Sequence, residues 1–189
     1  MKTKITVALI YGSARPGRFC DVVADWVLTH LPEMMAADIV IVDPADLAAE
    51  TRNAKADMQA RIARDLARAD AFLVVTPEYN HGYTAALKEL IDMFYEPWWG
   101  KPVGFVSYGG VSGGLRAVEQ LRQVFAELGT VAIRESVSFA HAHEKFDDAG
   151  NLYEPQRAAR QLEKLARQLT WWASTLKAGR EALVVEEAV

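Results

Sequence analysis

Five short β-branched runs separated by amphipathic helical stretches predict an α/β chain, a three-layer α/β/α sandwich around a five-stranded parallel sheet. Three observations carry that prediction. The runs Ile5–Ile10, Ile39–Val42, Phe72–Val75, Val103–Val106 and Val131–Ile133 are bounded by Gly, Pro or Asp, as strands buried on both faces usually are. Between them, apolar residues recur three or four apart, the spacing of a helix with one buried face. Strict alternation of the two patterns forces right-handed crossovers, which leaves a mainly parallel sheet with helices on both faces.

Each element has its own signal. The opening MKTKITVALIYG has two lysines and an apolar run, but the run is about half the 18 or more residues that a membrane span needs. Gly12 ends it before any small-residue cleavage site, so it reads as a first strand rather than a signal peptide. Val22, Val23, Trp26 and Val27 form the first helical stripe, and Met58, Ile62 and Leu66 form the second. On the polar side of that second helix, Asp57–Arg61 and Arg61–Asp65 are spaced to pair. Leu87, Leu90, Ile91 and Phe94 make a third stripe, and Leu115, Val118, Leu121, Phe125 and Leu128 a fourth. After the fifth run comes AHAHEKFDDAGNLYEPQ, whose DDAGN is turn chemistry. Leu162, Leu165, Leu169, Trp172 and Leu176 then mark one long last helix.

A chain of 189 residues fits one domain, expected over residues 1–178, with residues 179–189 a short acidic tail. The balance of 21 basic against 25 acidic residues, net −4, gives no electrostatic case for nucleic acid or an anionic membrane as partner. A single cysteine, Cys20, excludes an intramolecular disulfide and a cysteine zinc cage. A cytoplasmic location is the default expectation.

In open α/β sheets ligands bind beyond the carboxyl ends of the strands, near the switch in strand order. That directs attention to the loops after the first, third and fourth strands. The first, Gly12-Ser13-Ala14-Arg15-Pro16-Gly17-Arg18, opens a helix, so its free N–H groups suit a phosphate. Gly12 and Gly17 let the backbone approach a ligand, Ser13 can donate, and Arg15 and Arg18 can neutralise a dianion. The loop has the Gly-x4-Gly frame of a P-loop but Arg18-Phe19 where Lys-Ser/Thr is required, and it lacks G-x-G-x-x-G. A terminal monophosphate fits best.

The third strand ends in Thr76-Pro77-Glu78-Tyr79-Asn80-His81-Gly82, where Pro77 stops the strand and Asn80 and Gly82 tolerate unusual backbone angles. A planar ligand can lie against such a loop. Glu78 reads equally as a buried acid and as a structural carboxylate holding a neighbouring loop; His81 reads as a polar loop histidine. The fourth strand ends in Ser107-Tyr108-Gly109-Gly110-Val111-Ser112-Gly113-Gly114, where four glycines in six residues leave room for a flat ring system. His141 and His143 lack a third ligand in recognisable spacing, so no metal site is expected. No G-x-S-x-G or catalytic triad is present.

Together GSARPGR, TPEYNHGYTAALKELID and KPVGFVSYGGVSGGLRAVEQLR resemble the NADPH-dependent FMN reductases, also called flavodoxin-like NAD(P)H quinone reductases. The resemblance runs from about Lys4 to Val137 and extends to the FDDAGNL loop. It implies a flavodoxin-like fold, FMN as cofactor, and NADPH or NADH as co-substrate. It assigns the FMN phosphate to Ser13 and Arg15, together with Arg18, Phe19 and Cys20. The isoalloxazine would lie between Pro77, Glu78, Tyr79 and Asn80 on one side and Tyr108, Gly109 and Gly110 on the other. One departure is Thr84-Ala85-Ala86 where many relatives have Pro-Gly or Pro-Ala, which bears on the acceptor pocket's shape.

The implied activity passes electrons by a ping-pong cycle to a small acceptor: a quinone, free flavin, azo compound or metal ion. No side chain need serve as catalytic acid or base, because flavin N5 carries the hydride. An FMN-binding electron carrier or a redox-sensing module acting through a protein partner is the alternative. Met93, Phe94, Tyr95, Trp98 and Trp99 form an aromatic cluster expected at a subunit interface. The resemblance also implies dimers, so a homodimer or homotetramer is expected.

Overall fold

The structure, a computed structural model, describes residues 4–48 and 52–182. Five parallel strands form one sheet: β1 (Ile5–Tyr11), β2 (Ala37–Val42), β3 (Ala71–Pro77), β4 (Pro102–Tyr108) and β5 (Val131–Phe139). Their order is β2-β1-β3-β4-β5, the doubly wound order of flavodoxin-like folds. The helices are α1 (Cys20–Met34), α2 (Arg52–Arg68), α3 (Ala85–Asp92), α4 (Leu115–Glu127) and α5 (Pro155–Ala182). None is both long and apolar enough to cross a membrane among the described residues.

Alternation along β1 divides the core. Val7, Leu9 and Tyr11 face α1 and α5, while Ala8 and Ile10 face α2, α3 and α4. Because the first strand to leave β1 goes one way and the next goes the other, the loops after β1 and β3 part at the centre of the sheet. That is where a crevice opens in this topology.

Four expectations change at this level. Arg61 reaches past its own helix to Asp46, not to Asp57 or Asp65; Asp65 lies 3.9 Å from Arg68 instead. The short turn at Pro44–Ala48 brings Asp46 within reach, and a cross-element partner displaces the helical neighbour. β5 continues beyond Ile133 to Phe139 through a register irregularity opposite Val103/Phe105. The polar pair Arg134-Glu135 hides that continuation. Arg122 donates to the carbonyls of Ile133 at 2.7 Å and Arg134 at 3.2 Å, so the irregular backbone keeps its partners.

The last helix runs on to Ala182, past the boundary at 178. Arg180 donates to the Gly100 carbonyl at 2.5 Å, and Lys177 bonds the buried Asp70 at 3.0 Å, which pins that final turn. Residues 183–189 of the expected tail lie outside the described residues.

Trp98 is not a surface aromatic. It is wholly buried, 4.8 Å from Phe72 and 5.6 Å from Phe125 between ring centroids. The turn Glu96–Trp98 swings it inward, and its indole N–H reaches the Phe94 carbonyl at 2.7 Å. A buried Trp needs such a partner. Met93 and Phe94 are partly buried, leaving Tyr95 (64% exposed) and Trp99 (45%) at the surface.

Candidate functional site

The loop after β1 is built around contact with β3. Gly12 donates to the Val75 carbonyl at 2.7 Å, and a Cβ there would stand 2.7 Å from Thr76, so only glycine fits. The close approach it permits is to β3. Gly17 is the residue that needs a positive φ, +64°. Thr84 locks the same loop from below: its hydroxyl donates to the Gly12 carbonyl at 2.6 Å and accepts from Leu87 N at 3.1 Å. The departure at Thr84-Ala85-Ala86 therefore supplies the N-cap of α3.

Ser13 is buried and shares a hydrogen bond with the Tyr79 hydroxyl at 3.0 Å. Arg15 is exposed, its guanidinium 3.8 Å above the Tyr79 ring. Arg18 differs. Its side chain is 9% exposed and grips Asp43 through both terminal nitrogens, one at 2.6 Å, while Nε takes Asp21 at 2.8 Å. It also donates to the Ser13 carbonyl. The Asp43 hydrogen bonds outweigh burial and hold its pKa above the usual arginine range. Arg18 is thus a strut from this loop to the end of β2.

Phe19 is the N-cap position of α1, its ring 4.3 Å from that of His143 and 5.9 Å from that of Tyr108. The Cys20 side chain is buried, donating to the Val75 carbonyl at 3.4 Å, and burial pushes its thiol up to about 11.

The loop after β3 is a tight reversal. Tyr79 and Gly82 exchange backbone hydrogen bonds at 3.0 and 3.2 Å, with Asn80 at φ 50° and His81 at φ 74° between them. Two successive positive φ values are those of a type I′ hairpin turn. The strained residue beside Asn80 is therefore His81, not Gly82. Gly82 serves close packing instead, since a Cβ there would meet Gln120 at 2.8 Å. His81 is exposed, and its carbonyl accepts from Gln120 at 3.0 Å.

Glu78 resolves as the structural carboxylate. Its side chain is 8% exposed and accepts from Ser112 Oγ at 2.6 Å, Arg116 N at 3.1 Å and the Arg116 guanidinium at 2.8 Å. Burial raises its pKa, but those three hydrogen bonds outweigh it and hold the carboxyl below its usual value. One residue thereby caps α4 and joins the loops after β3 and β4.

In the glycine-rich loop the four glycines have different work. Gly113 (φ +60°) and Gly114 (φ +84°) turn the chain against Ser138 and Tyr108, where a Cβ would come within 2.4 and 2.9 Å. Gly110 has open space beside it. Tyr108 is buried with its hydroxyl unbonded to any nitrogen or oxygen. Cys20 Sγ lies beside it, its own thiol hydrogen given to the Val75 carbonyl. Burial drives the Tyr108 pKa far upward, so this hydroxyl keeps its proton, with no nitrogen or oxygen acceptor in reach.

These loops border a cleft of about 320 Å³. Pro77, Glu78 and Tyr79 form one wall and Tyr108, Gly109 and Gly110 another. A third wall, His141 to Glu144, escaped the sequence reading. Its anchor is backbone bonding: His141 N and Ala142 N donate to the carbonyls of Gly110 and Gly109 at 2.8 and 3.1 Å. The available signal was position, since the loop after β5 opens at the same sheet edge. Loop one reaches this cleft indirectly, through Ser13 and Arg15 on Tyr79. Among the described residues His141 and His143 have no third ligating side chain placed to share a metal ion.

Comparison with known proteins bears on the family and the fold. The sequence model of the NADPH-dependent FMN reductases matches residues 5–144. An NAD(P)H-dependent FMN reductase of Schizosaccharomyces pombe is 36% identical over 134 residues, which is 64% of this chain and 66% of that protein, just under two thirds of its length. A quinone reductase of Pseudomonas putida is 32% identical over 167 residues, 83% of this chain and 89% of its own. Among solved structures, the FerB flavoenzyme NAD(P)H:(acceptor) oxidoreductase of Paracoccus denitrificans superposes with a TM-score of 0.69 at 22% identity, over 90% of this chain and 98% of that one. That likeness speaks for the fold.

Proposed function

The chain belongs to the NADPH-dependent FMN reductase family, and from that premise we propose that it binds FMN at this sheet edge and reduces small acceptors with NAD(P)H. The observation that carries the reading is the convergence of the loops after β3, β4 and β5 on one cleft, with Glu78 joining the first two and Tyr79 tying in the loop after β1. The group set suits FMN: an exposed arginine, a serine in the loop that leads into α1, a buried phenol with no nitrogen or oxygen partner and the open flank of Gly110.

FMN, when bound, supplies hydride acceptance and onward electron transfer. The chain's own residues bind and orient. Ser13, Arg15 and the N–H groups of Phe19 and Cys20 hold the phosphate at the positive end of α1. Arg18 holds that loop open rather than touching the ligand. Pro77, Tyr79 and Asn80 form a rigid platform on one side, and Tyr108, Gly109 and Gly110 approach from the other. Backbone amides of these loops counter negative charge gained on reduction. His141 and His143 border the mouth that both substrates must use, so reductant and acceptor occupy it in turn, which is ping-pong kinetics. Quinones, free flavins, azo compounds and metal ions are the acceptor classes to try.

We further propose a homodimer or homotetramer closed through the face bearing Tyr95 and Trp99, and a cytoplasmic location. The test is direct. The purified protein should be yellow and release FMN, identified by mass spectrometry. Steady-state oxidation of NADPH with a quinone should give parallel double-reciprocal lines. Release of FAD, or no flavin after reconstitution, overturns the proposal.

A further inference from the structure

A second, larger groove of about 680 Å³ adjoins the cleft on the β5 side. Glu144 lines both, and Gly110 of the cleft is followed directly by Val111 of the groove. A ligand too long for the cleft therefore has a continuous path into the groove.

The groove's chemistry is mixed. Lys145 and Arg157 lie along it, both exposed and without a carboxylate partner among the described residues, whereas Arg18, Arg116, Lys177 and Arg180 are all paired. Arg157 sits in the first turn of the 28-residue α5, whose positive end adds to the attraction for an anion. Glu144 and Glu154 balance the two cations, so a simple polyanion is a poor match. Tyr153, 67% exposed, stands on the rim on a backbone fixed by its N–H to the Lys145 carbonyl at 3.1 Å. An exposed aromatic, two free cations, two carboxylates and the Ser136 hydroxyl together match a nucleoside phosphate: a base to stack, hydroxyls to bond and a phosphate to neutralise.

We infer that this groove binds the adenosine end of the nicotinamide dinucleotide, with Lys145 and Arg157 on the 2′-phosphate, and so selects NADPH over NADH. The inference rests on the cleft being the flavin and nicotinamide site. Arginine and lysine beside the ribose are the usual means of accepting a 2′-phosphate, and each charge-assisted contact corresponds to about tenfold or more in affinity.

Calorimetric titration with adenosine 2′,5′-bisphosphate and with adenosine 5′-monophosphate tests it on the FMN-reconstituted protein. The bisphosphate should bind at least about tenfold more tightly than the monophosphate. Lys145→Ala/Arg157→Ala should erase that difference, and Tyr153→Ala should weaken both ligands. In turnover, the double variant should raise KM for NADPH about tenfold while leaving kcat and KM for NADH unchanged. Equal binding of the two nucleotides to the wild type, or an undiminished preference in a double variant that melts normally, overturns the inference. FMN fluorescence titration in parallel separates the two claims: loss of FMN binding speaks against the cleft, while normal FMN binding with no bisphosphate preference speaks against the groove alone.

Discussion

The Arg15 guanidinium lies 3.8 Å from the centre of the Tyr79 ring, while the Tyr79 hydroxyl meets Ser13 Oγ at 3.0 Å. One aromatic side chain from the loop after β3 thus holds two residues of the loop after β1. An exposed cation–π contact contributes only about 0.5–1 kcal/mol, weak enough for Arg15 to exchange the ring for a phosphate.

Arg15→Ala should raise the FMN dissociation constant by about one to two decades, since hydrogen bonds to charged groups contribute roughly 1.5–3 kcal/mol. Tyr79→Phe keeps the ring and loses only the hydroxyl, so about tenfold or less is expected. Fluorescence titration ranks the two; a larger effect from Tyr79→Phe would transfer the main role to the Ser13–Tyr79 bond.

Arg18→Ala should act on stability. It leaves Asp43 unpaired, with its side chain 18% exposed, and breaking a buried pair costs roughly 3–5 kcal/mol, less where water still reaches the survivor. Thermal unfolding of the flavin-free protein reads this. An unchanged melting temperature together with lost FMN affinity would make Arg18 a ligand instead of a strut.

Glu78 sets a pH dependence. Its folded pKa is lowered by Ser112 and Arg116 against the opposing effect of burial. A depressed carboxyl contributes stability that is present above its ordinary value and is lost as pH falls through the folded one. The melting temperature of wild type should therefore exceed that of Glu78→Gln at neutral pH, with the gap closing in acid below the usual carboxylate range. A gap that widens on acidification would reverse the sign and refute the assignment.

The aromatic cluster divides by burial. Trp98→Ala, which empties a packed site beside Phe72 and Phe125, should cost roughly 3–5 kcal/mol. Tyr95→Glu/Trp99→Glu should leave the melting temperature of the subunit nearly unchanged and lower the mass measured by light scattering. If Trp99 contributes to no interface, the mass will stay the same.

Cys20 should resist iodoacetamide in the native protein near pH 8 and react fully in denaturant. Its side chain is buried and its thiol is pushed up to about 11, so both access and thiolate are lacking. Intact-mass measurement before and after unfolding decides it.

Strand and helix identities were legible because periodicity is a local property: Leu162, Leu165 and Leu169 announce a helix wherever it packs. The FMN-reductase resemblance was legible too, since GSARPGR and PEYN are contiguous. What escaped were relations between distant residues. His141–Glu144 joined the cleft only because β5 is a neighbour of β4, and an irregular register let it run six residues past its apolar start. Arg18 and Arg15 look alike in the loop, yet Asp43 at the end of β2 engages one and leaves the other exposed.

By itself the sequence determined the layered α/β architecture and the family, because each follows from short-range pattern and from chain connectivity. Tertiary structure alone decided which residues of each loop are left open and which hold the loop. Glu78 could be acid or brace until α4 brought Ser112 and Arg116 to it, and Trp98 could be interface or core until its turn folded inward. A side chain's role depends on the partners that satisfy or desolvate it, and those come from segments that the chain brings together only on folding.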